Sequence, residues 1–137
     1  MKNLFSLVKA YTNLNLILAG VVLCIFIYSA LYSYKGNNYP IHSFHDTLTG
    51  EKSASTGLSR SFSAIVRFDF TQARLFNSYG VGLFLFFITQ LFLRLFFIYF
   101  ATKNYHPFKI VLISDIVIST SLFVVFFKPF ISEIFCF

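Results

Sequence analysis

The sequence predicts an all-α membrane protein: three transmembrane helices, with one or two short amphipathic interfacial helices between the first and the second. Three observations carry this expectation. Of 137 residues, 57% are hydrophobic and only 12% charged, about half the charged share of an ordinary soluble domain. The apolar residues gather into three runs, each long enough for a helix to cross a hydrocarbon layer roughly 30 Å thick. Between the first two runs lies a stretch with helical apolar spacing and regularly placed arginines. We read residues 1–137 as one integral membrane domain, with spans at 14–34, 79–101 and 110–127 and an interfacial segment at 58–76.

The first run, LNLILAGVVLCIFIYSALYSY, follows Lys2 and Lys9, which raises the rival reading of a signal peptide. A signal core covers only ~7–15 apolar residues and ends at a small-residue cleavage site. This run is longer and closes on Tyr32, Ser33, Tyr34 and Lys35, residues suited to an interfacial belt, so a retained helix is expected.

The second and third runs are joined by TKNYHPFK, a link short enough to make the two helices antiparallel neighbours. Arg94 and Asp115 are the two charges embedded in apolar runs. Folded back on one another, the helices place both at similar depth, about 8–10 Å from the same interface by the helical rise. Gln90 stands one turn before Arg94 and Ser119 one turn after Asp115, giving each helix a short polar stripe. A lone charge inside the bilayer costs several kcal/mol, and such charges pair or face a cavity. An Arg94–Asp115 ion pair is therefore expected. It reads either as a clasp that fixes hairpin register or as part of a proton or ion path. The absence of ionisable groups from the first run favours the clasp.

The connection from 35 to 79 begins as a loop rich in Gly, Asn, Ser and Thr, with Pro40 and Gly50 as breakers. From Leu58 the spacing of Phe62, Ile65, Val66 and Phe70 is helical. Arg60, Arg67 and Arg74 recur every seven residues and so share another face, as in an interfacial helix with its basic side toward phosphate headgroups. Asp69-Phe70-Thr71-Gln72 reads as a capping box and Asn77 as the cap of the second span, so two short helices are expected rather than one.

These residues resemble a family of small bacterial membrane proteins catalogued as domain of unknown function 2752. Its pattern runs approximately Leu-Thr-Gly, Cys-Pro-x-Cys-Gly-Leu-Thr-Arg-Ala, Leu-x-x-Gly-Asp, Asn-Pro, apolar helix. The match covers residues 48 to about 98, with Gly57-Leu58-Ser59-Arg60, Asp69 and Asn77 at the matching spacing. The family cysteines fall on Ser53 and Thr56, its prolines on Ala54 and Ser78, and its glycine before Asp on Phe68. The resemblance thus implies a fold and a location in the bacterial inner membrane, and no reaction; metal or redox chemistry at those cysteines is closed to this chain.

Candidate sites are few. His42, His45 and Asp46 carry metal-ligand atoms, but a fourth ligand is missing nearby and a loop does not fix their geometry, so exposed histidines are expected and no metal. The serines near Arg60 lack a Gly-x-Ser-x-Gly elbow and a base at fixed spacing, and read as caps and turn hydroxyls. A Gly57 turn opening a helix leaves amides that favour an anion, and Arg60 one turn inside can add a charge-assisted bond. Gly57, Arg60, Arg67 and Arg74 are therefore the candidate anion or headgroup contacts, against the alternative that Arg60 bonds its own loop or Asp69.

The net charge of +6 flanks apolar runs, which points to membrane lipids and not to nucleic acid. Cys24 and Cys136 form neither a Cys-x-x-Cys pair nor a disulfide framework. Lys2, Lys9, Lys103 and Lys109 would share one acid-free side, which we place in the cytoplasm together with the N-terminus. Gly20, Gly80 and Gly82 allow close helix approach without spelling GxxxG, so an oligomer is compatible. Two functional classes follow, neither with a cofactor. One is a non-enzymatic accessory or assembly subunit that docks onto other integral membrane proteins. The other is a membrane enzyme or transporter component that binds lipid or phosphate through Arg60 and the His42–Asp46 loop.

Overall fold

A computed structural model describes residues 2–35, 55–103 and 107–135. His42, His45 and Asp46 lie outside the described residues, as does most of the loop around them. The described residues form five helices: α1 (Lys2–Leu31), α2 (Leu58–Val66), α3 (Phe70–Phe76), α4 (Gly80–Thr102) and α5 (Phe108–Phe135). Three of them, α1, α4 and α5, are long and apolar enough to cross a membrane, with α2 and α3 between the first and second. The chain is a multi-pass membrane protein.

Two boundaries differ from those expected. Helix α1 starts at Lys2, because residues 2–13 contain neither Gly nor Pro and Lys9 is no obstacle to helix. Helix α5 continues through Pro129 to Phe135. A proline inside a helix removes one N–H from the ladder and crowds the preceding turn, and here the apolar sequence on both sides carries the helix across it.

Helix α1 packs on α4, and α4 on α5, which makes α4 the central helix. Two buried clusters sit toward opposite ends of this arrangement. Tyr11, Phe97, Ala101 and Val111 form the one near the α4–α5 link. Phe62, Ala64, Ile65, Ala73, Leu83 and Phe84 form the other, where α2 and α3 meet the start of α4.

Helix α2 is amphipathic but deeply seated, with Ser61, Phe62, Ser63, Ala64 and Ile65 all buried. Small side chains make the depth attainable: Gly80 approaches so closely that a Cβ there would collide with the Ser61 side chain. Gly57, with φ 76°, opens α2, and a Cβ on it would strike the Phe76 carbonyl. Close approach and left-handed backbone thus both require glycine at 57.

The break between α2 and α3 is a Schellman turn. Phe68 N–H donates to the Ile65 carbonyl at 2.9 Å and Asp69 N–H to the Ala64 carbonyl at 3.0 Å. Phe68 itself takes φ 60°, the left-handed region that glycine favours. Asp69 then caps α3, its Oδ1 accepting from Gln72 N–H at 3.1 Å. The Asp69 amide that Gln72 would meet in a reciprocal box already donates to Ala64. Asn77 braces the entry to α4, accepting from Tyr79 N–H at 2.9 Å and donating to the Thr56 carbonyl at 3.0 Å.

Candidate functional site

The described charges inside the spans meet in one polar knot. Arg94 Nη1 lies 2.9 Å from Asp115 Oδ1 and 3.0 Å from Oδ2. Arg94 Nη2 donates to Gln90 Oε1 at 2.9 Å and to Ser119 Oγ at 2.8 Å. Ser119 in turn donates to Asp115 Oδ1 at 3.0 Å. The helical repeat explains the grouping: Gln90 and Arg94 are one turn apart on α4, as are Asp115 and Ser119 on α5.

Helix α1 completes the knot with two residues that the sequence reading missed. The Tyr11 hydroxyl donates to Asp115 Oδ2 at 2.6 Å, and Asn15 Oδ1 accepts from Arg94 Nη1 at 2.8 Å. Asn15 Nδ2 donates to the Tyr11 carbonyl at 3.0 Å, which fixes its amide orientation. The signal was present as Tyr11, Asn15 and Ala19 at four-residue spacing, all buried on one face of α1. It was passed over because the apolar run was taken to begin at Leu14.

The knot is a closed account of charge. Asp115, 3% exposed, receives four hydrogen bonds, from Tyr11, Ser119 and twice from Arg94, which fills the acceptor capacity of a carboxylate. One positive and one negative charge, fully bonded, make a unit with no net charge, the condition under which ions are tolerated at depth. Arg94 stands eight residues before the end of α4 and Asp115 seven after the start of α5, so both lie roughly 10–12 Å along their helices from the linking end. The arrangement joins α1, α4 and α5 at a single level and holds their register.

Of the candidate anion contacts, the structure gathers none into a common site. Arg67 departs from the expected headgroup contact. Its Nη1 donates to the Ser29 carbonyl at 3.2 Å, the Ser63 carbonyl at 2.9 Å and Ser63 Oγ at 2.6 Å. Its Nη2 donates to the Ala30 carbonyl at 2.8 Å. A guanidinium on the last carbonyls of α1 complements the negative end of that helix dipole. The Schellman turn also bends the chain between Arg60 and Arg74, so the seven-residue spacing no longer places the arginines on one helix. Arg60 is half-buried in the first turn of α2, and Arg74 is exposed in the last turn of α3. At Gly57 the nearest group is the Phe76 carbonyl, whose partial negative charge works against an anion beside the first turn of α2.

A second polar junction ties the end of α1 to the α2–α3 turn. The Tyr34 hydroxyl donates to Asp69 Oδ2 at 2.7 Å, and Tyr34 N–H donates to Ser63 Oγ at 3.1 Å. Ser63 Oγ donates to the Tyr32 carbonyl. The bond from Tyr34, aided by the Gln72 amide, holds the Asp69 carboxyl below its usual range. The same bond, aided by burial, raises the Tyr34 phenol above its own. Lys35 Nζ lies 5.7 Å from the Tyr34 ring centroid. This cluster fastens two segments and brings no nucleophile beside a base.

Among the described residues no group of three or more His, Cys, Asp or Glu is placed to hold a metal. No protein-family model, curated protein or solved structure matches the chain.

Proposed function

We propose that this protein is a non-enzymatic accessory or assembly subunit of a larger membrane complex, resident in the bacterial cytoplasmic membrane with its N-terminus in the cytoplasm. The observation that carries the reading is the uneven covering of the three spans. The polar knot is consumed in holding α1, α4 and α5 in register, while α5 keeps almost its whole circumference apolar and open. Only 11% of its span is buried, against 22% for each of the other two. Ile113, Ile116, Val117, Val124 and Val125 are exposed along it. Stiff β-branched side chains lose little freedom when a neighbouring helix packs on them, and van der Waals packing is the main force between helices in lipid.

The acid-free lysines 2, 9, 103 and 109 support the cytoplasmic assignment of the N-terminal side. The resemblance to domain of unknown function 2752 is kept as part of this proposal on its residue pattern. Gly57, Asp69 and Asn77 each take a role that calls for that residue type: a left-handed turn, a helix cap and a two-sided brace.

The test is site-specific photocrosslinking in native cells, with the crosslinker at Val117 or Val124 of α5 and at Ile17 of α1 as the control. A protein adduct of one defined mass from α5, absent from α1, is the expected result. Lipid adducts alone from both helices would overturn the subunit reading.

A further inference from the structure

Between α4 and α5, opening toward the lipid side of the knot, lies a groove of about 260 Å³ lined by Phe86, Gln90, Arg94, Ser119, Thr120 and Phe123. Its wall holds one polar group that the knot leaves unused. Gln90 is 7% exposed, and its Nε2 is buried without a hydrogen-bond partner. The amide orientation is fixed, because Oε1 accepts from Arg94 Nη2 at 2.9 Å and a flip would set two donors face to face. A buried N–H₂ without an acceptor is costly in any protein and more so in hydrocarbon.

The surroundings select what can supply the missing acceptor. The Arg94 and Asp115 charges cancel within the knot, so an anion would bring uncompensated charge into the bilayer, whereas a neutral oxygen would not. Phe86 and Phe123 flank the site with apolar surface. Gln90 stands ten residues from the start of α4 and twelve from its end, about 15–18 Å from either by the helical rise. That is the middle of a hydrocarbon layer roughly 30 Å thick, whereas the ester carbonyls of glycerolipids sit at its edges.

We propose that the α4–α5 groove binds a neutral, membrane-dissolved carbonyl compound, whose oxygen accepts from Gln90 Nε2 and whose apolar body lies against Phe86 and Phe123. The ligand is a ketone-type carbonyl on a hydrocarbon or aromatic frame, small enough to enter from the lipid between two helices. This binding is independent of the subunit role, since the groove and the open face of α5 are different surfaces.

The test uses the full chain in bicelles of diether phosphatidylcholine, which has no ester carbonyl. The Gln90 side-chain amide resonance is followed while dodecanophenone is added, and separately dodecylbenzene, which differs from it by the carbonyl alone. The expected result is a saturable shift with the ketone and binding at least about tenfold tighter than the hydrocarbon, the effect of one hydrogen bond. Thr120→Phe fills the groove without touching the knot and should weaken ketone binding at least about tenfold, whereas Thr120→Val should retain it. Equal binding of both probes, or unchanged binding in Thr120→Phe, overturns the proposal. A shift produced by diester lipid alone would assign the acceptor to bulk lipid and also overturn it. So would a shift that follows protein concentration, which would assign the acceptor to a second copy.

Discussion

The Tyr11 hydroxyl donates to Asp115 Oδ2 at 2.6 Å, joining the first spanning helix to the last across 104 positions of sequence. Helix α1 packs mainly on α4, so this bond is a direct tie from α1 to α5. Tyr11→Phe keeps the ring, and with it the edge contact to Phe108 at 5.6 Å, but removes the donor. The variant should lose about 1 kcal/mol, within the range for interhelical bonds in membranes. Reversible unfolding in mixed micelles would measure it, and an unchanged midpoint would show that the hydroxyl contributes nothing to the bundle.

Removing one ion of the knot should hurt more than removing both. Asp115→Leu leaves Arg94 buried without its counter-charge, a loss of about 3–5 kcal/mol. Arg94→Met combined with Asp115→Leu restores neutrality and should recover more than half of that loss. Expression level and unfolding midpoint of the single and double variants form the cycle. If the double variant is as damaged as the sum of the singles, the pair does not act as a unit.

Gly80 and Ser61 mark the closest approach of α4 and α2. A methyl group at 80 would collide with the Ser61 side chain, so Gly80→Ala should destabilise by about 1–3 kcal/mol through overpacking. Ser61→Gly in the same chain opens the space and should return part of the loss. A Gly80→Ala variant as stable as wild type would place the two helices further apart than described.

The Tyr34–Asp69 bond predicts pH dependence at both extremes. Asp69 is held below 3.8, first by the bond from Tyr34 and then by the Gln72 amide. The folded state therefore binds that proton less readily than the unfolded chain, and the resulting stabilisation is complete above about pH 3.8 and lost as pH falls through the depressed value. Tyr34 is raised above 10.0, first by the bond to Asp69 and then by burial. Its stabilisation is complete below about pH 10 and lost as pH rises through the raised value. The gap in unfolding midpoint between wild type and Tyr34→Phe should be constant through neutral pH and narrow at both ends. A gap that stays level from acid to alkali would rule the bond out.

Much of the architecture was legible in order and spacing. Length and hydropathy gave three spans, and the short TKNYHPFK link gave an antiparallel α4–α5 pair. Gln90, Arg94, Asp115 and Ser119 could be placed at one level by counting residues, because the helical rise is fixed and the link is short. Asp69 could be named a cap because its side chain acts on amides within three residues of itself.

Only the tertiary structure decided where long-range partners come from. Tyr11 and Asn15 enter the knot because α1 packs against α4 at one rotation, which a nearly all-apolar helix does not announce in its own sequence. Arg67 turns from headgroups to the Ser29 and Ala30 carbonyls because the buried serines of α2 bring it within reach of the end of α1. Local residue type determined helix, cap and turn, whose partners are neighbours in sequence. The polar knot and the unused Gln90 amide were decided by helix rotation and depth, which packing alone sets.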